Sequence, residues 1–513
     1  MRKRTLGILA AAVMTVVVAC GGGGGSSSGK AAGPPRPGGS VAFGLRADFL
    51  SLDPLVLNND SDLSVGNGIY DPLIARIGNK GELGPWLADS WDSSTDLKTW
   101  TLHLHPGVRF HDGTPFNADA VVLNIERHMD PRNKSLSLSD AFLVDTVKAV
   151  DDRTAAITLK SPWVDFPQVL VGPIGLMASP AAIKQTGADY GKHPVGTGPF
   201  VFKEWVTGDH VTAVRNRNYW KPGYPYLDSV TWRPIPDQDA KYASLKAGQV
   251  DVIQVATADQ VVKAEKDSKL KVWKYAGDGG TFVMMNNRTA PFDDVNARLA
   301  VSYATNRQEI VTQIGHDRYP VALGPFPPGS DWDTKVQAPN YDLDKARAAL
   351  QAYGKPLSFK FNIVSDPITR QYGQILQAQW KKAGIEVELV QMDQATLIQS
   401  AIGKQFQLQI FQYGDWFDPD LFLFRAFISK GSIVNYPAYS NAAVDAALVK
   451  GRTISDPAAR HDAYAQVQQA LAREQPYVWL HYNTSYAISN RRVQDLNTIY
   501  SSITKPYQVW VSS

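Results

Sequence analysis

The chain has 513 residues, 44% of them hydrophobic and 20% charged, with a formal net charge of +3. Those values fit a folded body of about two to four domains rather than a disordered or fibrous chain. A near-neutral balance with no long basic run gives nucleic acid no electrostatic footing.

The first element is a targeting segment. "MRKR" supplies a positive start, and "LGILAAAVMTVVVA" is an apolar run too short to span a bilayer comfortably. It ends at Val17-Val18-Ala19-Cys20, which fits the bacterial lipobox, where the cysteine is lipidated and becomes the first residue. Cys20 is the only cysteine, so a disulfide has no partner. "GGGGGSSSGKAAGPPRPGG" reads as a flexible tether passing into a stiffer Pro-rich piece. The expectation is a signal peptide over 1–19, a tether over 20–39, and a body held by lipid at the extracytoplasmic face of the cell membrane.

Residues 40–275 read as β-rich with short helices. "KTWTLHLHPGVRF" alternates like a strand, "GTPFNADAVVLNIERHM" is a helix with Asn117 as its N-cap, and "TAAITLK" and "VTAVRNRNYW" are further strands. His103, His105 and His111 form the one histidine cluster, with 103 and 105 on one strand face. No cysteine and no carboxylate at ligand spacing joins them, so they read as strand histidines rather than a metal site.

From about 280 to 480 the rhythm changes. "PLSFKFNIV" is a strand, and Ser365-Asp366-Pro367 then offers an N-cap and a proline in the first turn of a helix. Tyr372, Ile375, Leu376 and Trp380 make its apolar stripe, and Gly384 ends it. "IEVELV" is a strand, "QATLIQSAIG" a helix, "FQLQIFQY" a strand, and "AARHDAYAQVQQALAREQP" a long late helix. The β-α-β-α-β order predicts a parallel sheet with right-handed crossovers. Ligands of such sheets bind beyond the carboxyl ends of the strands. Arg370, in the first turn after one strand, and Asp415, just after another, are therefore expected at one edge.

Three acids crowd "FQYGDWFDPDLF". Asp418 and Asp420 flank Pro419 and read as turn and helix-start residues. Asp415, beside Tyr413 and Trp416, suits a second role: a carboxylate among aromatic rings can hold an ammonium group. It can equally pair with an internal arginine or backbone amide. Arg370 can grip a carboxylate with two parallel hydrogen bonds, or it can stand solvated on its helix or pair with Asp366. Together the two would suit a zwitterion. No phosphate loop, HExxH or nucleophile-elbow motif is present.

Five stretches carry a resemblance. They are "LADSWDSSTDLKTWTLHLHPGVRFHDGTPFNADAVVLNIER", "PVGTGPFVFKEW", "NRNYWKPGYPYLDSVTWRPIPDQDAKYASLKAGQVDV", "NNRTAPFDDVNARLAVSYATNRQEIV" and "FQYGDWFDPD". In order and coverage the chain resembles the peptide-type (family 5) solute-binding proteins of bacterial ABC importers, which include dipeptide- and oligopeptide-binding lipoproteins. The resemblance implies an α/β, two-lobed periplasmic-binding-protein-like fold of type II, cluster C, with an extra β-rich subdomain in the first lobe. It implies lobe I over 40–278, lobe II over 279–480, and a return to lobe I over 481–513. It implies capture of short peptides by hinge closure, delivery to a permease with its ATPase, a monomer, and no catalysis, cofactor or metal.

By the same resemblance Asp415 holds the ligand amino group and Arg370, ten residues before Trp380, its carboxylate, with Trp416 and Tyr413 as the aromatic wall. Gln412 departs from the family, which often has tryptophan there. The same fold also serves oligosaccharides, haem or metal complexes and glutathione. A secreted hydrolase using the clustered acids is the remote alternative.

Overall fold

A computed structural model of the chain describes residues 33–77, 81–275, 279–414, 418–500 and 503–512. Cys20, Asp415 and Trp416 lie outside the described residues. Among the described residues two larger sheets organise the body. The first has seven strands in the order Leu270–Tyr275, Ser485–Asn490, Val252–Ile253, Ser40–Leu45, Ser229–Pro234, His210–Arg215 and Phe200–Val206. Ser40–Leu45 runs parallel to both of its neighbours, and the outer pairs are antiparallel.

The second sheet orders its five strands Glu386–Met392, Ser358–Val364, Leu408–Tyr413, Gly280–Met285 and Tyr477–Tyr482. Its first three strands are parallel, as their spacing predicts, and are joined by the helices Pro367–Ala383 and Gln394–Ile402. Gly280–Met285 joins antiparallel to both neighbours. Every residue of that strand is buried, as expected of a strand covered on both faces.

A four-stranded antiparallel sheet forms the inserted part of the first lobe: Ala88–Ser93, Thr99–Leu104, Thr154–Leu159 and Val144–Asp151 in that order. Alternation drives it, since Trp100, Leu102, Leu104, Ile157 and Leu159 all turn to one buried face. The helix Ala118–Met129 packs on it, and its Asn117 cap accepts the Ala120 amide at 3.1 Å. His103 and His105 pair with Asp92 and Asp89 at 3.0 and 2.7 Å, and His111 meets the Gly198 carbonyl at 2.9 Å. Each histidine thus has its own partner, and they do not converge on a common point.

The chain passes from one sheet to the other twice. Tyr275 pairs with Ser485 at the end of the first sheet, and Gly280 pairs with Tyr482 at the start of the second. The same two chain segments are therefore partners in both lobes, as a two-stranded ribbon. The Asn483 amide donates to the Gly279 carbonyl at 3.1 Å between them. Gly279 has φ +79°, and a Cβ there would lie 1.5 Å from the Tyr413 carbonyl oxygen, so only glycine fits.

In the second lobe, Asp366 caps the helix Pro367–Ala383 by accepting the Thr369 amide at 2.9 Å, and Gly384 closes it at φ +93°. The stripe Tyr372, Ile375, Leu376 and Trp380 is buried throughout. Trp380 packs on Phe359 and Phe361, with ring centroids 5.7 and 5.6 Å away, and donates its indole N–H to the Thr305 hydroxyl at 2.9 Å. Trp380→Ala is expected to cost about 3–5 kcal/mol, since it opens a cavity and removes a buried hydrogen bond to a hydroxyl that keeps only its bond to the Val301 carbonyl. Urea unfolding followed by circular dichroism should show it as a lowered midpoint.

Candidate functional site

Strand Ser40–Leu45 ends at the cleft between the sheets, and the next residue, Arg46, lines it. The cleft encloses about 880 Å³. From the first lobe come Arg46, Asn58, Asn59, Asp60, Gln238 and Thr257 through Asp259. From the second come Gln313, His316, Tyr319, Gln371, Tyr372, Gln412, Gly414 and His481. The ribbon contributes Asn483, Thr484 and Ser485 as the floor.

Local folding explains why these groups meet. Helix Asp60–Ile69 starts at the cleft with Asn59 accepting the amides of Ser61 and Asp62 at 2.9 and 3.1 Å. Helix Ala258–Glu265 starts there too, with a reciprocal cap between Thr257 and Gln260. Helix Pro367–Ala383 presents its first turn from the other side. Three helix N-termini thus carry partial positive charge to one space. Acids temper that field: Asp60 accepts from the Arg46 guanidinium at 2.7 Å, and Asp259 meets His316 at 2.5 Å across the lobes. Arg318 and Glu265 form a second cross-lobe pair beside it.

Burial sets the protonation around the cleft. Lys241 is buried on the helix Gln238–Lys246, donates to the Gln254 carbonyl at 3.0 Å, and is pushed down to about 8 by burial against the opposing pull of Asp60. Burial, opposed by the backbone amides at Asn58 and Asn59, lifts the Asp62 carboxyl to about 6. His481 is wholly enclosed, which lowers it to about 4, so it is neutral at pH 7. Its Nε2 meets the Tyr372 hydroxyl at 2.6 Å and its ring stacks on Tyr319 with centroids 4.8 Å apart. This neutral His–Tyr unit stiffens the second-lobe wall.

Strand pleating decides which residues of Leu408–Tyr413 see the cleft. Gln412 and Gly414 line it. Tyr413 turns to the opposite face, stacks on Phe422 with centroids 3.7 Å apart, and donates its hydroxyl to the Pro325 carbonyl at 2.6 Å. It belongs to the core of the second lobe, not to the cleft lining. Arg370 is exposed on the first turn of its helix with its guanidinium 3.5 Å from the Ser365 carbonyl, between the lining residues Ile368 and Gln371.

Asp418 and Asp420 are more than helix-start residues. Asp418 does accept the Asp420 amide at 2.9 Å, but both carboxylates are buried ion pairs. Asp418 meets Arg460 at 2.8 Å, and Asp420 takes Arg452 through two nitrogens at 2.9 and 2.8 Å. Arginines more than 30 residues further along the chain gave no local signal of this.

The first-lobe wall was not expected from the sequence. The strand-end rule that pointed to Arg370, applied to "SVAFGL", would have found Arg46. Asn58–Asp60 and Thr257–Asp259 could have been found as helix caps.

Comparison with known proteins decides the family. The model for "Bacterial extracellular solute-binding proteins, family 5 Middle" matches residues 82–434. The chain belongs to the family 5 bacterial extracellular solute-binding proteins. It is 32% identical over 446 residues to the glutathione-binding protein GsiB of Pectobacterium atrosepticum, covering 84% of this chain and 86% of that one.

Among solved structures, it is similar to the ABC transporter-associated periplasmic binding protein DppA from Helicobacter pylori in complex with peptide STSA. That match has TM-score 0.82 and 26% identity, over 93% of this chain and 99% of that one. The oligopeptide-binding protein AppA from Bacillus subtilis shares the fold at TM-score 0.80 and 24% identity, over 94% and 100%. These are two-lobed family 5 binding proteins, and proteins of this family deliver solutes to ABC importers. No helix among the described residues is long and apolar enough to cross a membrane.

His481 has an acid signature. The unfolded chain, with histidine near 6.5, binds the proton before the folded one does. The stability that its neutral form carries is therefore full above about pH 6.5 and falls as pH drops toward 4. His481→Gln should flatten part of that decline, read as the difference in urea midpoints between pH 7 and pH 4.5.

Proposed function

We propose that this family 5 protein captures short peptides between its lobes by hinge closure and hands them to the permease and ATPase of an ABC importer. The observation that carries the reading is the cleft of about 880 Å³, walled by both lobes and floored by the ribbon that joins them. That volume suits a ligand of a few residues. Its lining is mostly neutral and polar: Asn58, Asn59, Gln313, Gln371, Gln412 and Asn483 offer both donors and acceptors to peptide groups whatever the side chains. The Gln371 and Gln412 side chains make no hydrogen bonds among the described residues and are exposed.

Asp415 directly follows the cleft-lining Gly414 in the chain and is assigned the ligand's ammonium group. Arg370, held among the described residues only by its long contact to Ser365, is assigned the carboxylate, and Trp416 flanks the ammonium site. Gln412 takes the place of an aromatic step and offers a hydrogen-bonding amide there instead. Only interactions made better in the closed form can shift the lobes, so a ligand must touch both walls. A lipid on Cys20 and the tether hold the protein at the membrane.

One alternative has a specific observation behind it. The 32% identical relative is named for binding glutathione, itself a tripeptide with a free amino group. Calorimetry with glutathione and a series of di- to pentapeptides separates the two readings by which ligand binds tightest; cellobiose or haem binding without peptide binding would overturn both. Asp415→Ala is expected to weaken the best ligand by about 2–4 kcal/mol. Unchanged affinity would remove Asp415 from the site. Cys20→Ser is expected to move the protein from the membrane pellet to the soluble fraction.

A further inference from the structure

The lobes also meet away from the cleft, where the inserted part of the first lobe touches the second. Trp163 and Phe166, anchored in the inserted core, frame Val164 and Asp165. The Val164 amide donates to the Arg452 carbonyl at 2.9 Å, and the Arg452 guanidinium lies 4.8 Å from the centre of the Trp163 ring. Asp140 pairs with Arg425 beside this contact, and Leu421 packs on the inserted core. Cross-lobe contacts of this kind must part if the lobes rotate about the ribbon.

Among the described residues, one carboxyl at this seam has no guanidinium bonded to it when the lobes meet. On the second lobe, Asp418 and Arg460 neutralise each other, as do Asp420 and Arg452. The Tyr464 hydroxyl adds a donor to Asp420 at 3.3 Å. Asp165 arrives from the first lobe as a third carboxyl in a filled set. Its Oδ2 is buried and has no hydrogen-bond partner among the described residues.

We propose that Asp165 and the carboxylate–guanidinium cluster it meets form a proton-dependent latch on lobe closure. This rests on the hinge-closure reading above.

The groups facing Asp165 are Asp418, Asp420, Arg460 and Arg452 with Tyr464 from the second lobe, and Arg76 from its own. Burial first, then Asp418 and Asp420, push its carboxyl well above the usual range, against Arg460 and Arg76. Burial also raises Asp418, but Arg460 at 2.8 Å holds that one as the anion, so Asp165 is the group that keeps the proton. With the lobes apart, water would reach Asp165 and return it to the ordinary range near 3.9. Closing therefore takes up one proton over the window between that value and the raised one. As pH rises through the window, the closing equilibrium weakens by up to about tenfold per pH unit.

The test uses the full chain with Cys20→Ser and spin labels at Lys184→Cys and Lys381→Cys, one exposed site on each lobe. Inter-label distances are measured from pH 5 to 8 without added ligand. The expected result is two distances, with the short one losing population as pH rises. In Asp165→Asn the short distance should dominate and hold its population across the range. Asp418→Asn, which removes the carboxylate that crowds Asp165, should shrink the pH effect without abolishing it. His316–Asp259 also links the lobes and is common to all three proteins, so only the difference between them counts. Two distances with the same pH profile in the parent and Asp165→Asn would overturn the latch alone. A single distance unchanged by pH in every protein, and by added glutathione or tripeptide, would overturn hinge closure and the latch with it.

Discussion

A hydrogen bond from the Asn483 amide to the Gly279 carbonyl ties together the two places where the chain passes between its sheets. On either side the same two segments pair as antiparallel neighbours, so the two crossings between the lobes lie side by side. A two-stranded ribbon twists readily along its length but resists stretching. That restricts how the lobes can move and fixes where a cleft can form. The ribbon is also the cleft floor, which puts the joint and the candidate site in one place.

The acids of the second lobe show how position overrules composition. Asp366 and Asp393 spend their carboxylates on helix amides at the surface. Asp418 and Asp420, a few residues after a strand, are buried and answered by arginines from two later helices. Removing one partner of such a pair costs several kcal/mol, because the other charge stays buried without compensation. These pairs therefore bind the segment after Leu408–Tyr413 firmly to the helices Ala442–Thr453 and Pro457–Glu474. The cleft wall at Gln412 and Gly414 is supported from behind.

Much of this fold could be read from periodicity and caps. The stripe from Tyr372 to Trp380, the Asp366 cap and the Gly384 stop are local signals, and local physics is what a sequence displays. The parallel order of three strands followed from the helices between them. What stayed hidden was non-local. Nothing near Gly280–Met285 announces that it joins that sheet antiparallel, because its partners at 408–413 and 477–482 are far along the chain. Tyr413 was expected in an aromatic wall, yet strand alternation sends its ring into the core and leaves Gln412 facing the cleft. The first-lobe wall came from short turns before helices, whose cap residues look alike whether or not a ligand lies beyond them.

Arg46 already has Asp60, and His316 already has Asp259. These cleft groups meet an approaching solute already paired, with little far-reaching field to be screened by small ions. Entry past those walls would then proceed at much the same rate in dilute and concentrated salt. A protein working outside the cytoplasm, where ionic strength follows the surroundings, would keep its capture rate through such changes.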